Sequence, residues 1–524
     1  MPADSLEKII NLCLRRAILF PSAEPYAALT AAFGGFAGFF DYGHYGALLK
    51  RRVESEWFDR FVRQREDVVV LEGAIVTPRA VLEASGHLAS FNDPLVECVK
   101  CRSKYRADHL IEKELKRSVD GISLERLAEM LVAEKIVCPK CSGALGEVKT
   151  FNLMFPTTVG AAPDCASGEA SKAANATAFL RPETAQSIFV DFPRLALACR
   201  KQLPFGIAQS GRVFRNEIAP RNFVFRSREF SLFEIEFFVH PWKLEECEIP
   251  DRLASIEIAF LDVKTQHAAR EKTMAQPSKA TFGKLAYEKI ISNKWVAYWL
   301  AEFVDWFASL GIPTTRLRLR QHLSDELSHY SRETWDVEYD YPGLGWKELM
   351  GVADRGDYDL KAHSKKSGKE FAVFDEAAKQ KIIPFVVEPS LGTDRLVFTL
   401  LCEAFKEKIE KGETKTILSL NPRIAPVQAC VFPLMKKDGL AEKARGVFDS
   451  LKKEGFAVEY DESGSIGKRY ARADEIGTPF CITIDYDSLE KNDCTIRERD
   501  SAAQERVKLK DLPRKLRAKL EGGE

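Results

Sequence analysis

The sequence predicts an α+β fold, with strands and helices mixed through its body and a smaller α/β unit at its C-terminal end, and three observations predict it. The stretch Gly211 to Phe238, GRVFRNEIAPRNFVFRSREFSLFEIEFF, reads as two strands joined by an irregular, cation-rich loop. Beyond 422, strands at 427–432, 456–460 and 480–485 alternate with helical stretches at 439–453 and 466–476, the βαβα order of a small domain with a central sheet. Between 98 and 141 two CxxC pairs enclose a charged helical segment and mark an insertion.

Composition bounds the rest. The 524 residues are 45% hydrophobic and 29% charged with no low-complexity tract, a globular chain of about three domains. Lys+Arg and Asp+Glu both number 77, which excludes a uniform polycation but leaves nucleic-acid binding through local basic patches. The opening MPADSLEKII has no signal-peptide apolar region, and no apolar run reaches the length of a membrane span, so a cytoplasmic protein without a membrane partner is expected. Of the 12 cysteines only four fall in a tight pattern, as in a reduced intracellular protein.

In chain order, residues 5–19 carry a helical pattern through Leu6, Ile9, Ile10, Leu12 and Cys13, and 33–46, FGGFAGFFDYGHYG, form a Gly-aromatic loop. A long helix is expected over 47–64, with Leu48, Leu49, Val53, Trp57, Phe58 and Phe61 apolar, then a strand over 68–75 and a short helix over 78–85. This helix and strand are either core or a subunit surface, and periodicity does not separate the two.

Cys98, Cys101, Cys138 and Cys141 follow. A CxxC turn presents two sulfurs to one ion, and tetrahedral zinc takes four thiolates, so the paired knuckles predict a structural zinc; four free thiols are the other reading. A catalytic zinc would need an open position that four sulfurs do not leave. The segment 106–135 between the knuckles is read as an inserted helical arm.

FLRPETAQSIFVD over 179–191 sets Arg181, Glu183, Thr184 and Gln186 before a helix, and 161–178, rich in Ala, Ser and Gly, is expected as a loop. In the hairpin that follows, Glu234 and Glu236 share one strand face while Phe233, Ile235 and Phe237 share the other. Arg221, Arg226 and Arg228, with Pro220 and Asn222, occupy a loop able to fold cations over a triphosphate; an edge hairpin solvated by charge is the alternative. A charged insert with helices is expected over 242–287, and an amphipathic helix over 295–310. Arg316, Arg318 and Arg320 share a strand face; a strand over 346–352 sets Glu348 opposite Lys347; Asp354, Arg355 and Asp359 are placed in a turn. A buried strand over 382–387 delivers Glu388 and Ser390 ahead of a helix led by Arg395, the floor of an active site or a helix with ordinary polar caps. The basic tail over 507–520 reads as a solvated helix.

With these residues in view, the strings DYGHYGALLKRRV, DPLVEC with RADHL, LRPETAQ, FRNEIAPRNFVFRSREFSLFEIEFF, RQHLSDELSHY, GVADRGDYDL, EPSLGTDR and IGKRYARADEIGTPF resemble the dimeric type of glycyl-tRNA synthetase, a class II aminoacyl-tRNA synthetase, over nearly the whole chain. The resemblance implies a class II antiparallel-sheet catalytic core with helices, a zinc-ribbon-like insertion and a C-terminal α/β anticodon-binding domain. Its boundaries are 1–90 for the first part of the core with motif 1, 91–150 for the zinc-binding insertion, 151–420 for the core with motifs 2 and 3 and an insert at about 241–290, and 421–524 for the anticodon-binding domain. It also implies a homodimer through motif 1, with tRNA(Gly), glycine, ATP, Mg2+ and structural Zn2+ as partners.

Family chemistry then assigns roles to matching positions. Arg215 would hold the α-phosphate, Glu217 the adenine amino group and Arg226 the outer phosphates, with Phe230 stacked on the base, Asn216 beside the nucleotide and Arg395 on its far side. Glu348 and Glu388 would lie near magnesium. Glu183, Glu234 and Ser390 would surround the glycine ammonium, with Glu388 also in the glycine site, and no editing domain is expected, because nothing smaller than glycine needs to be rejected. Arg469, Tyr470 and Arg472 fall in the matching segment of the anticodon-binding domain. The chain departs from the family at Ser187, where Gly is usual, and at His44 and Tyr45, placed in a pocket-lining loop. A non-catalytic adaptor would have lost Arg215, Glu217, Arg226 and Arg395, and a synthetase for another amino acid fits poorly with Glu183, Glu234 and Ser390.

Overall fold

The computed structural model describes residues 5–27, 36–115, 119, 122–159, 177–220, 223–270, 276–376, 378–410 and 412–522. Arg221, Asn222 and nearly all of the loop expected at 161–178 lie outside the described residues. Helix α1 (Ser5–Arg15) and α2 (His44–Phe58) precede the first strand of the main sheet, and α2 continues through a single wide turn, Asp59–Arg63, where the sequence predicts one helix to 64. Strand β1 is confined to Val68–Val70 rather than 68–75, because the chain leaves the sheet there and a separate strand, Val76–Pro78, pairs elsewhere.

Between the core segments, Asn92–Glu97 pairs with Lys104–Arg106 and Lys149–Asn152, and helices α3 (Ala107–Leu115) and α4 (Leu124–Ala133) close over this small sheet. Val96, Ile111, Leu127 and Leu131 form a core of their own there.

The main sheet then collects α5 (Ala185–Ala198), β2 (Phe205–Phe214), β3 (Glu229–Val239), β4 (Glu257–Leu261), β5 (Ser278–Thr281), α6 (Lys294–Ser309), β6 (Leu317–Gln321), β7 (Glu333–Tyr341), β8 (Gly345–Gly356), α7 (Tyr358–Ser367), β9 (Phe385–Gly392) and α8 (Thr393–Ala404). Nine strands run in the order β5-β4-β6-β7-β8-β9-β3-β2-β1. All neighbours are antiparallel except β1 with β2 and β4 with β6.

Two faces of β3 have different uses. Phe233, Ile235 and Phe237 pack toward α2 and α6 in the largest core, where Trp57 stacks on Phe233 at 4.6 Å and Phe61 on Phe303 at 4.3 Å. The face bearing Glu234 and Glu236 continues to Phe238, which joins Ile207 and the inner side of α5. Helix α6 is buried over most of its length, and its N-terminus is capped by Asn293, whose Oδ1 accepts from Trp295 N at 3.0 Å.

The insert expected as helices contributes two strands, β4 and β5, which extend the sheet as its far edge. Asp354 and Arg355 lie within β8 and Asp359 within α7, not in a turn. Strand β9 carries Glu388 and Ser390 in its middle instead of ending before them, and α8 begins at Thr393.

Beyond a hairpin, Phe405–Glu410 with Glu413–Leu418, the C-terminal unit holds β10 (Ala429–Pro433), α9 (Leu440–Lys453), β11 (Val458–Tyr460), α10 (Ile466–Glu475), β12 (Phe480–Ile484), β13 (Asp493–Glu498), β14 (Gln504–Lys508) and α11 (Leu512–Leu520). Its sheet order is β11-β10-β12-β13-β14, parallel in the first three strands and antiparallel after them. The basic tail is not a solvated helix: Leu512, Leu516 and Leu520, spaced one turn apart, are buried in the core of this unit, and the cations occupy the other faces. Among the described residues no helix is long and apolar enough to cross a membrane.

Candidate active site

Strand register assembles the first part of the site. Ser390 on β9 lies opposite Glu234 on β3 and Gly351 on β8, and Glu388 lies opposite Ala353. Ser390 Oγ donates to Glu234 Oε1 at 3.1 Å, while Glu234 Oε2 accepts from Thr184 N at 2.6 Å and Thr184 Oγ1 at 2.5 Å. Thr184 is the residue from which α5 starts, so a helix N-terminus faces this carboxylate. Glu183 beside it accepts from Gln186 Nε2 at 2.8 Å and lies 3.2 Å from His87 Nε2. All four residues expected around glycine are therefore brought together.

Three groups that the sequence places on a strand face or in a turn, with no role in the site, complete this pocket. Arg355, with 0% side-chain exposure, donates to Asp359 at 2.7 and 2.9 Å and to Glu388 Oε2 at 2.7 Å, and its guanidinium lies 3.7 Å from the centre of the Tyr330 ring. Glu236, two residues along β3 from Glu234, is wholly buried and neither oxygen has a hydrogen-bond partner among the described residues. Asp359 is reached from α7. The GVADRGDYDL string was the signal for Arg355 and Asp359, but it gave no partner for either.

Carboxyl groups outnumber cations here, and their proton affinities record it. Burial, with the negative Glu388 next to it, raises Glu236 well above the ordinary carboxyl value. Burial and the neighbouring Glu183 raise Glu234, and burial pushes Glu388 up to about 8 against the pull of Arg355. Glu183 goes the other way: burial opposes its charge, but His87, Arg355 and Gln186 outweigh that and hold it low. The pocket is an anionic well, suited to a small cation.

The residues expected on the nucleotide side line the continuation of the hairpin. Arg215 follows β2; its N–H donates to Arg228 O at 2.9 Å, its Nε to Pro182 O at 3.2 Å, and its guanidinium lies 5.3 Å from the Phe230 ring centre and 5.5 Å from that of Phe91. Asn216 N donates to Leu153 O at 2.7 Å. Glu217 faces Arg226 at 3.7 Å, and Arg226 Nη1 is 3.5 Å from His109 Nδ1 on α3, so the inserted arm reaches this loop. Across the cleft, Arg395 Nη1 donates to Glu348 O at 2.8 Å and lies 3.2 Å from Glu348 Oε1. Partial desolvation of the half-exposed Glu348 would raise it, but Arg395 and His322 lower it below its usual range.

Glu348 and Glu388 are not brought together. Glu388 sits opposite Ala353, and five strand residues from Glu348 to Ala353 span about 17 Å. Next to Arg395, Asp394 ties three elements: Oδ1 accepts from Tyr42 Oη at 2.7 Å and Lys50 Nζ at 2.7 Å, and Oδ2 from Ser231 N at 2.6 Å. Gly211 in β2 leaves room for Arg181, since a Cβ there would meet Arg181 Nη2 at 2.0 Å. Ser187 Oγ donates to Thr184 O at 2.8 Å and accepts from Gln209 Nε2 at 2.9 Å, which absorbs its hydroxyl into the support of the Thr184 turn.

The four knuckle cysteines converge. Their sulfurs all lie within 4.8 Å of one another, with Cys98 to Cys141 at 3.6 Å and Cys101 to Cys138 at 3.5 Å. Four thiolates about 2.3 Å from one zinc sit about 3.8 Å apart, so the donor set fits that ion.

Residues 428–519 match the family described as anticodon binding domain. The chain is 40% identical over 522 residues to the glycine–tRNA ligase of Caldanaerobacter subterraneus subsp. tengcongensis, covering 98% of each. It is 40% identical to those of Alkaliphilus oremlandii, over 523 residues with 98% of each covered, and Geobacillus kaustophilus, over 525 residues with 99% of each covered. The chain belongs to the glycine–tRNA ligases.

In this chain the residues singled out in the C-terminal unit are engaged internally. Arg469 is buried and donates to Pro433 O at 2.5 Å, Leu434 O at 3.3 Å and Gly464 O at 3.3 Å. Tyr470 Oη meets Thr483 Oγ1 at 2.7 Å, and Arg472 pairs with Asp461. His44 and Tyr45 do not line the pocket: Tyr45 Oη donates to Glu459 Oε2 at 3.2 Å and His44 Nε2 lies 3.8 Å from Glu459 Oε1. Both contact the C-terminal unit from the start of α2, while Tyr42, just before that helix, donates to Asp394.

Proposed function

We propose that this chain activates glycine with ATP, releasing pyrophosphate, and transfers glycine from the adenylate to the 3′ end of tRNA(Gly). The observation that carries the reading is the anionic well formed by Glu183, Glu234, Glu388 and Ser390, walled by the fully paired Arg355. An ammonium entering it gains carboxylate partners and relieves repulsion among them. Arg355 and its carboxylates wall the well, and in this reading they select glycine by excluding larger side chains.

The carboxylate of glycine is already an anion and attacks the α-phosphate without a general base. What the chain supplies is position and charge. In this reading Arg215 binds the α-phosphate, Arg226 the outer phosphates, Glu217 the adenine amino group and Phe230 the base, beside Asn216 and beneath Arg395. Cation–π contact of Arg215 with Phe230 keeps the guanidinium over the base site until phosphate draws it away. Glu348, at the cleft and half exposed, is the carboxylate suited to magnesium, which neutralises phosphate charge when bound; Glu388, committed to Arg355, serves the ammonium side.

Cys98, Cys101, Cys138 and Cys141 would hold a structural zinc. We divide the chain at about 90, 150 and 420, a division supported by the separate cores of the knuckle insertion and the C-terminal unit. A homodimer through α2 is supported by a recess of about 880 Å³ beside that helix, lined by Phe40, Arg51, Glu54 and Phe58, which a second copy would cover. The place of action is the cytoplasm, as for a chain that meets tRNA.

Pyrophosphate exchange tests the reading. Exchange driven by glycine but not by alanine or serine is expected, and Arg215→Ala should abolish it while leaving the circular dichroism spectrum unchanged. Exchange with alanine or serine in preference to glycine would refute it.

A further inference from the structure

We infer that Tyr45 is a positioning residue that seats the C-terminal unit on the catalytic core, so that a tRNA held by that unit presents its 3′ end to Arg395 and the adenylate; the inference rests on the tRNA-charging reading above. Three observations carry it. Tyr45 packs at once against the main core and against the cluster of Val427, Cys430 and Cys481 in the C-terminal unit. Its hydroxyl donates to Glu459 Oε2 at 3.2 Å on the edge strand β11. The turn of α2 that presents it is held against backbone, since a Cβ on Gly46 would lie 1.8 Å from Ile18 O.

Tyr42 and Lys50, on the same chain segment as Tyr45, reach the site through short hydrogen bonds. Tyr42, three residues earlier, donates to Asp394 at 2.7 Å, and Lys50, five residues later, donates to the same oxygen at 2.7 Å and to Ser231 Oγ at 2.8 Å. Asp394 precedes Arg395 at the start of α8. A second tether is parallel to the first: Arg15 and Arg16, at the end of α1, both pair with Glu475 on α10. Two contacts on two elements fix an orientation, where one would leave a hinge. Tyr45 touches neither ATP nor glycine, so its contribution belongs to the transfer step that needs both units at once.

The test compares glycine-dependent pyrophosphate exchange with charging of a full-length tRNA(Gly) transcript in the whole enzyme. Loss of one hydrogen bond of ordinary strength corresponds to about fivefold, so Tyr45→Phe should lower kcat/KM for charging about fivefold, with a larger loss for Tyr45→Ala. Exchange should stay at its original rate in both, which also reports that they fold. Tyr45→Phe combined with Glu459→Ala should lose no more than the worse single variant. Equal losses in exchange and charging, additive losses in the double variant, or charging unchanged in Tyr45→Ala would overturn the inference. Absence of glycine-dependent exchange in the unmodified protein would instead strike at the proposed function.

Discussion

Arg355 donates to Glu388 at 2.7 Å from one strand to the next, with no part of the guanidinium exposed. The same guanidinium serves Asp359, so one cation balances two buried carboxylates. Removing one partner of such a group leaves uncompensated charge and costs about 3–5 kcal/mol. Arg355→Met should therefore lower the unfolding free energy in urea by that amount and abolish glycine-dependent exchange. A loss below about 1 kcal/mol would mean that the carboxyls simply take up protons in its absence.

Metal analysis of the purified protein should find about one zinc per chain, because four sulfurs within 4.8 Å of each other fit a closed tetrahedral site. Cys138→Ser should lose the metal and make the helices α3 and α4 cleavable by protease before the rest of the chain. A native protein free of metal would remove the assignment.

Asp93 provides a pH dependence. Its Oδ1 lies 2.9 Å from Arg106 but its buried Oδ2 has no hydrogen-bond partner among the described residues, and burial pushes the carboxyl up to about 6 despite Arg106. The folded chain thus holds this proton more tightly than the unfolded chain. That contribution favours folding fully below the unfolded value of 3.8 and is lost as the pH rises through about 6. Relative to Asp93→Asn, which does not titrate, the unmodified protein should lose on the order of 2 kcal/mol between pH 4 and pH 7. Urea midpoints that move in parallel for the two proteins would show that Asp93 titrates alike folded and unfolded.

Leu516→Ala in the terminal helix should cost about 2–4 kcal/mol, since its side chain is fully buried in the C-terminal core. Arg514→Ala, on the exposed face of the same helix, should change stability by less than about 0.5 kcal/mol. Thermal unfolding of both variants checks this, and equal effects would return the helix to the solvent.

Local patterns were readable where the physics is local. The period of two in FEIEF put Glu234 and Glu236 on one face and the aromatics on the other, and the cysteine spacing led to the knuckles. Partnerships made by register were not readable: Arg355 meets Glu388 only because β8 and β9 align Ala353 with Glu388. The resemblance places Tyr45 in a pocket-lining loop, and nothing local reveals its partner, Glu459, which is 414 residues away in sequence. In the terminal helix, Leu512, Leu516 and Leu520 are visible at helical spacing, but the lysines and arginines on its other faces mask the stripe.

Ser187 lies against a backbone that has no spare volume. A Cβ on Gly73 would stand 2.5 Å from Ser187 Oγ and 2.7 Å from its Cβ, with Gln209 Oε1 at 2.8 Å. Positions 73 and 187 thus share space for one side chain. Any relative that grows an atom at 73 must shed one at 187, so the two sites are free to drift only as a pair.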